Sequence, residues 1–299
     1  MTILKRLTQK RPLLLDGATG TELDRRGVST ALPLWSARAL LEAPDVLQQI
    51  HVDYARAGAE VLTANTFRTH RRSLAAAGLG ERAAELTAQA VAVARAAIEE
   101  ARPDHTVYVA GSLAPLEDCY SPQLVPPPAE CEAEHTEMAQ HLAAAGVDLI
   151  LVETMNTIRE AVAATRAARA TGLPVLTSFV CQSDHTLFSG ERVTDAVQAV
   201  APLGVAGLLI NCTPSTTIHQ PFAELQAAAR AQPATVLVTG LYANIGHTND
   251  ITGWTNTAEV SPLEYARLAT RWLKLGARVI GGCCGTTPAH IAALHVMLD

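Results

Sequence analysis

The sequence lacks any apolar run long enough to cross a membrane. None reaches the roughly 18 residues that a transmembrane helix needs. The N-terminus also lacks the apolar centre and the cleavage site of a signal peptide. We therefore predict a cytoplasmic protein with no membrane partner. In that compartment cysteines are typically thiols, catalytic groups or metal ligands, and the six cysteines of this chain are interpreted accordingly.

A concentration of positive charge is also absent. The chain has 23 Lys and Arg residues against 29 Asp and Glu residues, which gives a formal net charge of −6. Phosphate binding requires a concentrated basic face, so we expect no nucleic-acid partner. Basic residues cluster only in the short stretch LKRLTQKRP at residues 4–12, which we interpret as a solvated N-terminus.

No Ser/Gly-rich linker and no repeat of 20–50 residues divides the chain. Eight short apolar runs, partly β-branched, alternate instead with Ala-rich helical stretches. Such runs are typical of strands buried on both faces of a parallel sheet. Eight strand–helix units predict an α/β fold, a single (β/α)₈ TIM-type barrel forming one domain over residues 1–299; a doubly wound open sheet is the alternative. The runs begin at Pro12, Ala59, Val107, Asp148, Pro174, Gly207, Thr235 and Arg278.

Three long irregular stretches each follow a predicted strand. They cover residues 119–130, 181–191 and 243–260. In a barrel such loops cover the C-terminal face, where active sites are built.

Three of the six cysteines fall at predicted strand ends. Cys283 and Cys284 end the eighth apolar run, in VIGGCCGTTP, and Cys212 ends the sixth, in LLINCTP. Because strands six and eight are near neighbours at one mouth of a barrel, we expect the three sulfurs to converge. Three thiolates with an open fourth position are typical of a catalytic zinc site.

Adjacent side chains on a regular strand point to opposite faces, so the cysteine pair can share one metal only where the strand breaks. Gly281, Gly282 and Gly285 flank the pair and indicate such a break. Two other interpretations of the pair stay open, namely buried core cysteines and a vicinal redox pair. The remaining cysteines are interpreted as having no role at the site: Cys119, Cys131 and Cys181.

Two acidic residues also stand at predicted strand ends. Asp16 follows PLLL and Glu153 lies in LILVET. Core packing does not require a carboxyl group at either position, so both predict a binding site at the barrel mouth. The alternatives are a cap on the GATG turn for Asp16 and an ion pair with an arginine for Glu153.

Five segments resemble the homocysteine S-methyltransferase family: DGATGTEL, TANTF, LILVET, NCTP and GARVIGGCCGTTPAHI. The resemblance extends from about residue 13 to residue 290. It implies a (β/α)₈ barrel in which Cys212, Cys283 and Cys284 hold Zn²⁺ and perform the catalysis. It also implies that Asp16 and Glu153 bind the amino-acid end of the substrate. Further substrate-binding positions follow from it: Gly17, Thr19, Thr21, Thr66 and Asn211.

The implied reaction transfers a methyl group to the thiol of homocysteine and yields methionine. An alkyl thiol has a pKa of about 8.5, and zinc deprotonates a thiol that it coordinates. Donors in the family are S-methylmethionine, S-adenosylmethionine, betaine or a methyl-cobalamin. Since the barrel accounts for all 299 residues, we expect no cobalamin or folate domain and a free sulfonium donor, with S-methylmethionine first. Aromatic rings suited to such a cation are Trp35, Phe67, Tyr242 and Trp254.

Several alternatives stay open. The same core would serve a selenocysteine acceptor, or a betaine, methyl-corrinoid or methylfolate donor, the latter two with a partner protein. The stretch YANIGHTNDITGW departs from the Pro-Asn-Ser-Gly-like turn of sulfonium-using members at Ala243 and Ile245, and His247 in it is a further candidate for the site. A non-enzymatic zinc protein and a vicinal-dithiol reductase are the other classes. The sequence also leaves open whether the chain forms a homo-oligomer.

Overall fold

The computed structural model describes residues 1–182, 185–232, 238–245 and 260–299. Within them, eight strands form one parallel sheet in the order β1-β8-β7-β6-β5-β4-β3-β2. Strand β1 pairs with β8, and a parallel bridge between Leu15 and Val61 joins β1 to β2, so the sheet closes on itself. The strands are β1 Leu13–Leu14, β2 Val61–Ala64, β3 Tyr108–Leu113, β4 Leu149–Met155, β5 Val175–Val180, β6 Gly207–Pro214, β7 Val238–Asn244 and β8 Val279–Gly282.

A helix predicted from the sequence follows every strand, which confirms the single (β/α)₈ barrel and excludes the open sheet. These eight helices are α4 Pro44–Arg56, α6 Ala83–Ala101, α7 Pro128–Ala144, α8 Ile158–Ala170, α9 Val193–Val200, α10 His219–Arg230, α11 Pro262–Leu275 and α12 Pro288–Leu298. The described residues also contain short helices that the sequence pattern did not predict, α1 Ile3–Leu7, α2 Thr19–Arg25, α3 Arg38–Glu42 and α5 Arg71–Ala75, with 3₁₀ turns at Trp35–Ala37, Gly80–Arg82, Pro122–Leu124 and Ala201–Leu203.

The boundaries of α11 show how local chemistry defines these helices. Ser261 and Glu264 form a capping box at the N-terminus, and Pro262 occupies the first turn. The helix ends at Gly276, whose φ of 106° lies in the left-handed region that glycine adopts without steric cost. None of the helices in the described ranges is long and apolar enough to cross a bilayer.

The strands are buried on both faces, as their continuous apolar runs predict. Leu13, Leu151 and Leu209 point into the barrel, whereas Leu14 and Ile150 belong to the layer between sheet and helices. Burying one such side chain stabilises the fold by about 1.5–3 kcal/mol, so the double layer holds the strand ends rigidly.

The N-terminal stretch is not simply solvated, and that interpretation is wrong for Arg6. This side chain is 4% exposed, and its guanidinium contacts both carboxylate oxygens of buried Glu60 at 2.5 and 2.7 Å. Arg11 makes a third contact with Glu60 at 2.9 Å. Because a buried carboxylate requires a paired charge, α1 is held beneath the barrel, at the end opposite the cysteines.

Candidate metal centre and active site

The three cysteines at the strand ends converge, as the sequence predicts. The Sγ atoms of Cys212, Cys283 and Cys284 all lie within 4.8 Å of one another, and Cys212 Sγ is 3.8 Å from Cys284 Sγ. That separation is far longer than a disulfide bond. A tetrahedral zinc ion with Zn–S bonds of about 2.3 Å separates its sulfur ligands by about 3.8 Å. The cluster therefore has the dimensions of a three-thiolate metal site.

The three thiols also shift one another's pKa values, and a bound cation would stabilise their thiolate forms. Hydrogen bonds from Cys283 and Cys284 hold the pKa of the Cys212 thiol well below its usual range, and the pKa values of Cys283 and Cys284 are raised by their contact with Cys212. The cluster by itself thus favours one thiolate. Only a bound cation offsets the repulsion among three, so the donor set fits a thiophilic metal ion.

The chain turns sharply at the cysteine pair because small residues surround it. A Cβ atom on Gly281 would lie 2.6 Å from Leu15 Cβ, and one on Gly282 would overlap Thr286 Oγ1. Gly285 has a φ of 84°. The predicted break in the strand is confirmed. Of the three glycines, only Gly285 adopts a left-handed conformation there. Gly281 and Gly282 instead permit close packing against neighbouring segments.

One residue near the end of β4 and one near the end of β6 have backbone conformations in the left-handed region. Thr154 and Cys212 have φ values of 62° and 54°, which are uncommon for residues with a Cβ atom. Asn211 holds both segments, because its amide accepts from the Thr154 backbone N–H at 3.0 Å and donates to Thr154 Oγ1 at 2.8 Å. Asn244 fixes the other side of the bend by donating to the Cys212 carbonyl at 2.9 Å. The strain orients Cys212 at the barrel mouth.

Asp16 and Glu153 lie on the wall of the same cavity, whose volume is about 440 Å³. Asp16 accepts hydrogen bonds from the backbone N–H and hydroxyl of Thr63, at 2.7 and 2.8 Å. Glu153 accepts from the hydroxyls of Ser112 and Tyr242. Burial raises the pKa of each carboxyl to about 7, and these hydrogen bonds limit the rise. Neither carboxyl forms an ion pair with a described residue, so both are available to a cationic ligand.

The other predicted substrate positions divide into two groups. Gly17, Thr19 and Thr21 line the cavity at the start of α2, where Thr21 Oγ1 also accepts from the Gly285 N–H at 3.0 Å. Thr66 and Asn211 are fully buried behind the wall. Thr66 bridges β2 to β3 by exchanging two hydrogen bonds, both 2.9 Å long, with the Ser112 backbone. The structure therefore gives these two residues positioning contacts.

The loop after β3 brings two side chains to the cavity that the sequence did not predict. The Tyr120 hydroxyl lies 3.2 Å from Cys212 Sγ, and its ring packs edge-on against Phe188, with ring centroids 5.2 Å apart. Cys119 also lines the cavity, although its position in the sequence indicated no role at the site. The aromatic residue beside a cysteine, in the long loop, is the signal that could have indicated both.

A second part of the cavity is aromatic. Trp35 and Phe67 line it and pack edge-on, with ring centroids 5.4 Å apart. Gly20 makes room for this arrangement, because a Cβ atom there would lie 2.5 Å from the Trp35 ring. Tyr242 also lines the cavity, whereas Trp254 and His247 lie outside the described residues.

The fold and site define a (β/α)₈ barrel whose C-terminal mouth combines two buried carboxyls with three converging thiols that could hold a metal ion. The family model for homocysteine S-methyltransferase matches residues 13–298, and the chain belongs to this family. It is 34% identical to the homocysteine S-methyltransferase of Escherichia coli, with 94% of each chain covered. The selenocysteine methyltransferase of Astragalus bisulcatus is 26% identical, covering 97% of this chain and 93% of the relative.

The solved structures agree with this assignment. The metallated form of the homocysteine methyltransferase MmuM from Escherichia coli superposes with a TM-score of 0.83 at 32% sequence identity, with 98% of each chain covered. The carboxyl transferase domain of Rhizobium etli pyruvate carboxylase, at 12% identity and a TM-score of 0.56, shares the fold alone.

Proposed function

We propose that this chain is a zinc-dependent enzyme that transfers a methyl group from a sulfonium donor to the thiol of homocysteine, giving methionine. The observation that carries the proposal is the meeting of three thiols and two buried carboxyls in one cavity. Residues 1–299 would act as one homocysteine-binding and methyl-transferring domain.

Cys212, Cys283 and Cys284 would hold the zinc ion. Bound there, zinc would supply a Lewis acid that lowers the pKa of a substrate thiol and keeps its sulfur nucleophilic at neutral pH. Three thiolate ligands favour zinc over the harder cations magnesium and calcium. The likeness to a metallated structure of a family member supports a metal at this position.

Asp16 and Glu153 would bind the ammonium group of homocysteine. Each carboxyl already accepts two hydrogen bonds from the protein, which fix its orientation. An arriving ammonium favours their ionised forms and offsets the effect of burial. The backbone N–H groups of the turn at 17–21, at the start of α2, would face the substrate carboxylate. These contacts would hold the homocysteine sulfur beside the cysteine cluster.

The transfer itself requires only an in-line approach of sulfur and methyl carbon. The homocysteine sulfur forms a bond to the methyl carbon, and the bond from that carbon to the donor sulfonium breaks. Its electron pair stays on the donor sulfur, which leaves as a neutral thioether. The thiol proton would pass to solvent when the thiol binds, before transfer, so no side chain needs to act as a general base in this step. With S-methylmethionine as donor, both products are methionine.

The proposal is tested by methionine formation from homocysteine and S-methylmethionine with zinc-loaded, reduced protein. We expect turnover by the parent and a loss of at least about 100-fold in Cys284→Ala, because the variant removes one of three metal ligands. Cys131→Ala is the matched control, since this buried thiol lies on α7 away from the cavity. Zinc content, measured on the same samples, should be one ion per chain in parent and control.

No methionine from the zinc-loaded parent would refute S-methylmethionine as donor. The same assay with S-adenosylmethionine, betaine and a methyl-corrinoid protein identifies the donor in that case. A parallel assay with selenocysteine as acceptor separates the second candidate function, which the likeness to a selenocysteine methyltransferase favours.

A further inference from the structure

The cavity contains one basic side chain among its described lining residues. Arg68 lies in the loop after β2, and its guanidinium carbon is 5.9 Å from the centroid of the Phe67 ring. Phe67 in turn packs against Trp35. A positive charge thus stands next to the aromatic part of the cavity, on a surface otherwise rich in carboxyl and thiol groups.

Arg68 has little to bind within the protein. It makes no ion pair in the described ranges, although Asp24 and Asp118 line the same cavity. Its Nη1 donates a long hydrogen bond of 3.3 Å to Ser73 Oγ, and its Nε is buried without a partner. An arginine carries several N–H donors in a planar fork that suits a carboxylate. A half-buried guanidinium with one long hydrogen bond and one aromatic contact, but no carboxylate partner among the described residues, is therefore available to an anionic ligand.

His70 and Cys119, two titratable residues that the Arg68 charge affects, are both neutral near pH 7. Burial lowers the pKa of His70 to about 3, and the Arg68 charge adds to this effect, so His70 is neutral near pH 7. Burial raises the pKa of the Cys119 thiol, and the Arg68 charge opposes that rise. Neither residue balances the guanidinium charge.

Arg68 lines the same cavity as the cysteine cluster. Its charge acts on Cys119, the adjacent Tyr120 touches Cys212 Sγ at 3.2 Å, and all of these groups line one cavity. Asp16 and Glu153 take the ammonium of homocysteine in the proposed function, and the turn at 17–21 takes its carboxylate. The guanidinium is left for the other substrate, which must also approach the cysteine cluster.

We propose that Arg68 binds the carboxylate of the methyl donor and thereby selects donors that carry both a methylated cationic centre and a carboxylate. The inference depends on the proposed methyl transfer and deepens it by naming the donor class. The cationic centre of the donor faces the rings of Trp35 and Phe67, and its carboxylate meets the guanidinium fork. Donors without a carboxylate lack the second of these contacts.

The test is isothermal titration calorimetry on zinc-loaded, full-length protein without homocysteine, so that no turnover occurs. S-methylmethionine is compared with (3-aminopropyl)dimethylsulfonium, which keeps the sulfonium and ammonium groups but has no carboxylate. Arg68→Gln should weaken S-methylmethionine by about 10- to 100-fold, as expected for a lost hydrogen bond to a charged group. It should change the affinity for the carboxylate-free analogue by less than about threefold. Arg166→Gln, an exposed position on α8, is the control and should change neither.

The inference would be overturned if Arg68→Gln weakens the binding of both ligands equally, or if it leaves the binding of S-methylmethionine unchanged. So would a loss confined to homocysteine, titrated separately, because Arg68 would then serve the acceptor. If the parent binds betaine but not S-methylmethionine, the proposed donor is wrong. Betaine and choline then form the pair that tests Arg68, with the same expected contrast. The carboxylate-bearing donor class would be refuted if the parent binds none of the three donors more tightly than Arg68→Gln does. These donors are S-methylmethionine, betaine and S-adenosylmethionine.

Discussion

At the scale of single residues, burial controls the charge of the two carboxyl groups in the cavity. Asp16 and Glu153 are 3% and 8% exposed, and each has a pKa raised to about 7 by desolvation. The hydroxyls around Glu153 are able to donate or accept, so they tolerate either a carboxylate or an amide. Glu153→Gln therefore removes the titration while keeping the hydrogen bonds.

The pKa of Glu153 predicts how stability depends on pH. Below about pH 4.5 the carboxyl is protonated in both folded and unfolded chains. As pH rises towards 7, the unfolded chain releases this proton first, so the folded protein loses free energy of unfolding. We expect metal-free parent protein to lose up to about 3 kcal/mol more than Glu153→Gln over that interval. Denaturant titrations at several pH values measure this difference, and parallel curves for the two proteins would contradict it.

Residue identity alone indicated which groups belong at the site but not all of their contacts. Asp16, Glu153 and the cysteines were predictable because charged and metal-binding residues rarely stand at the ends of buried strands without a function. Ser112 and Thr63 were not, since a hydroxyl within a strand is ordinary and its partner depends on register between strands. Arg68 and Tyr120 lie in loops, whose conformation no periodic pattern reveals.

At the scale of elements, the end of β8 depends on how closely the turn at the cysteine pair packs. Thr286 stabilises this turn, because its hydroxyl donates to the Cys283 carbonyl at 2.7 Å and accepts from the Ala18 N–H at 3.3 Å. Gly282 leaves no room for a Cβ atom beside that hydroxyl. The cysteine pair and the turn at 17–21 therefore share one packing contact.

Gly282→Ala should lower both the stability of the fold and the affinity for zinc. We expect the free energy of unfolding to fall by about 1–3 kcal/mol, as for other overpacked sites. Zinc affinity, measured by chelator competition, should fall by at least about tenfold because the ligands move with the turn. Gly80→Ala is the milder control, since its Cβ would lie 3.2 Å from Ala75 Cβ. A Gly282→Ala protein that binds zinc as tightly as the parent would refute the packing argument.

Among the elements, the eight strands and their following helices were predictable because each carries a continuous apolar run or a helical period. The short helices were not. The helix α2, seven residues long, begins without a side-chain cap, and its position is fixed by contacts such as Gly20 against Trp35. Such contacts join residues that are too far apart in the sequence for a local pattern to reveal them.

At the scale of the whole molecule, stability and chemistry occupy opposite ends of the barrel. The bottom is closed by α1, whose Arg6 also donates to the carbonyls of Arg11 and Pro12 at 2.8 Å each. The top carries the cysteines, the carboxyls and the cavity. This separation is a general property of the fold.

Arg6→Ala tests the separation. Removing one partner leaves Glu60 buried with less compensation, so we expect the free energy of unfolding to fall by about 3–5 kcal/mol. The KM for homocysteine should stay within about twofold of the parent at a temperature where both proteins are folded. A large change in KM at unchanged stability would show that the bottom of the barrel influences the site.

In the proposed function the cysteine cluster holds a metal with one position left for the substrate thiol. X-ray absorption spectroscopy of zinc-loaded protein, recorded with and without homocysteine, tests it most directly. We expect three sulfur ligands at about 2.3 Å in the free protein and four after homocysteine is added. Four protein ligands in the free protein, or a spectrum that homocysteine does not change, would contradict it.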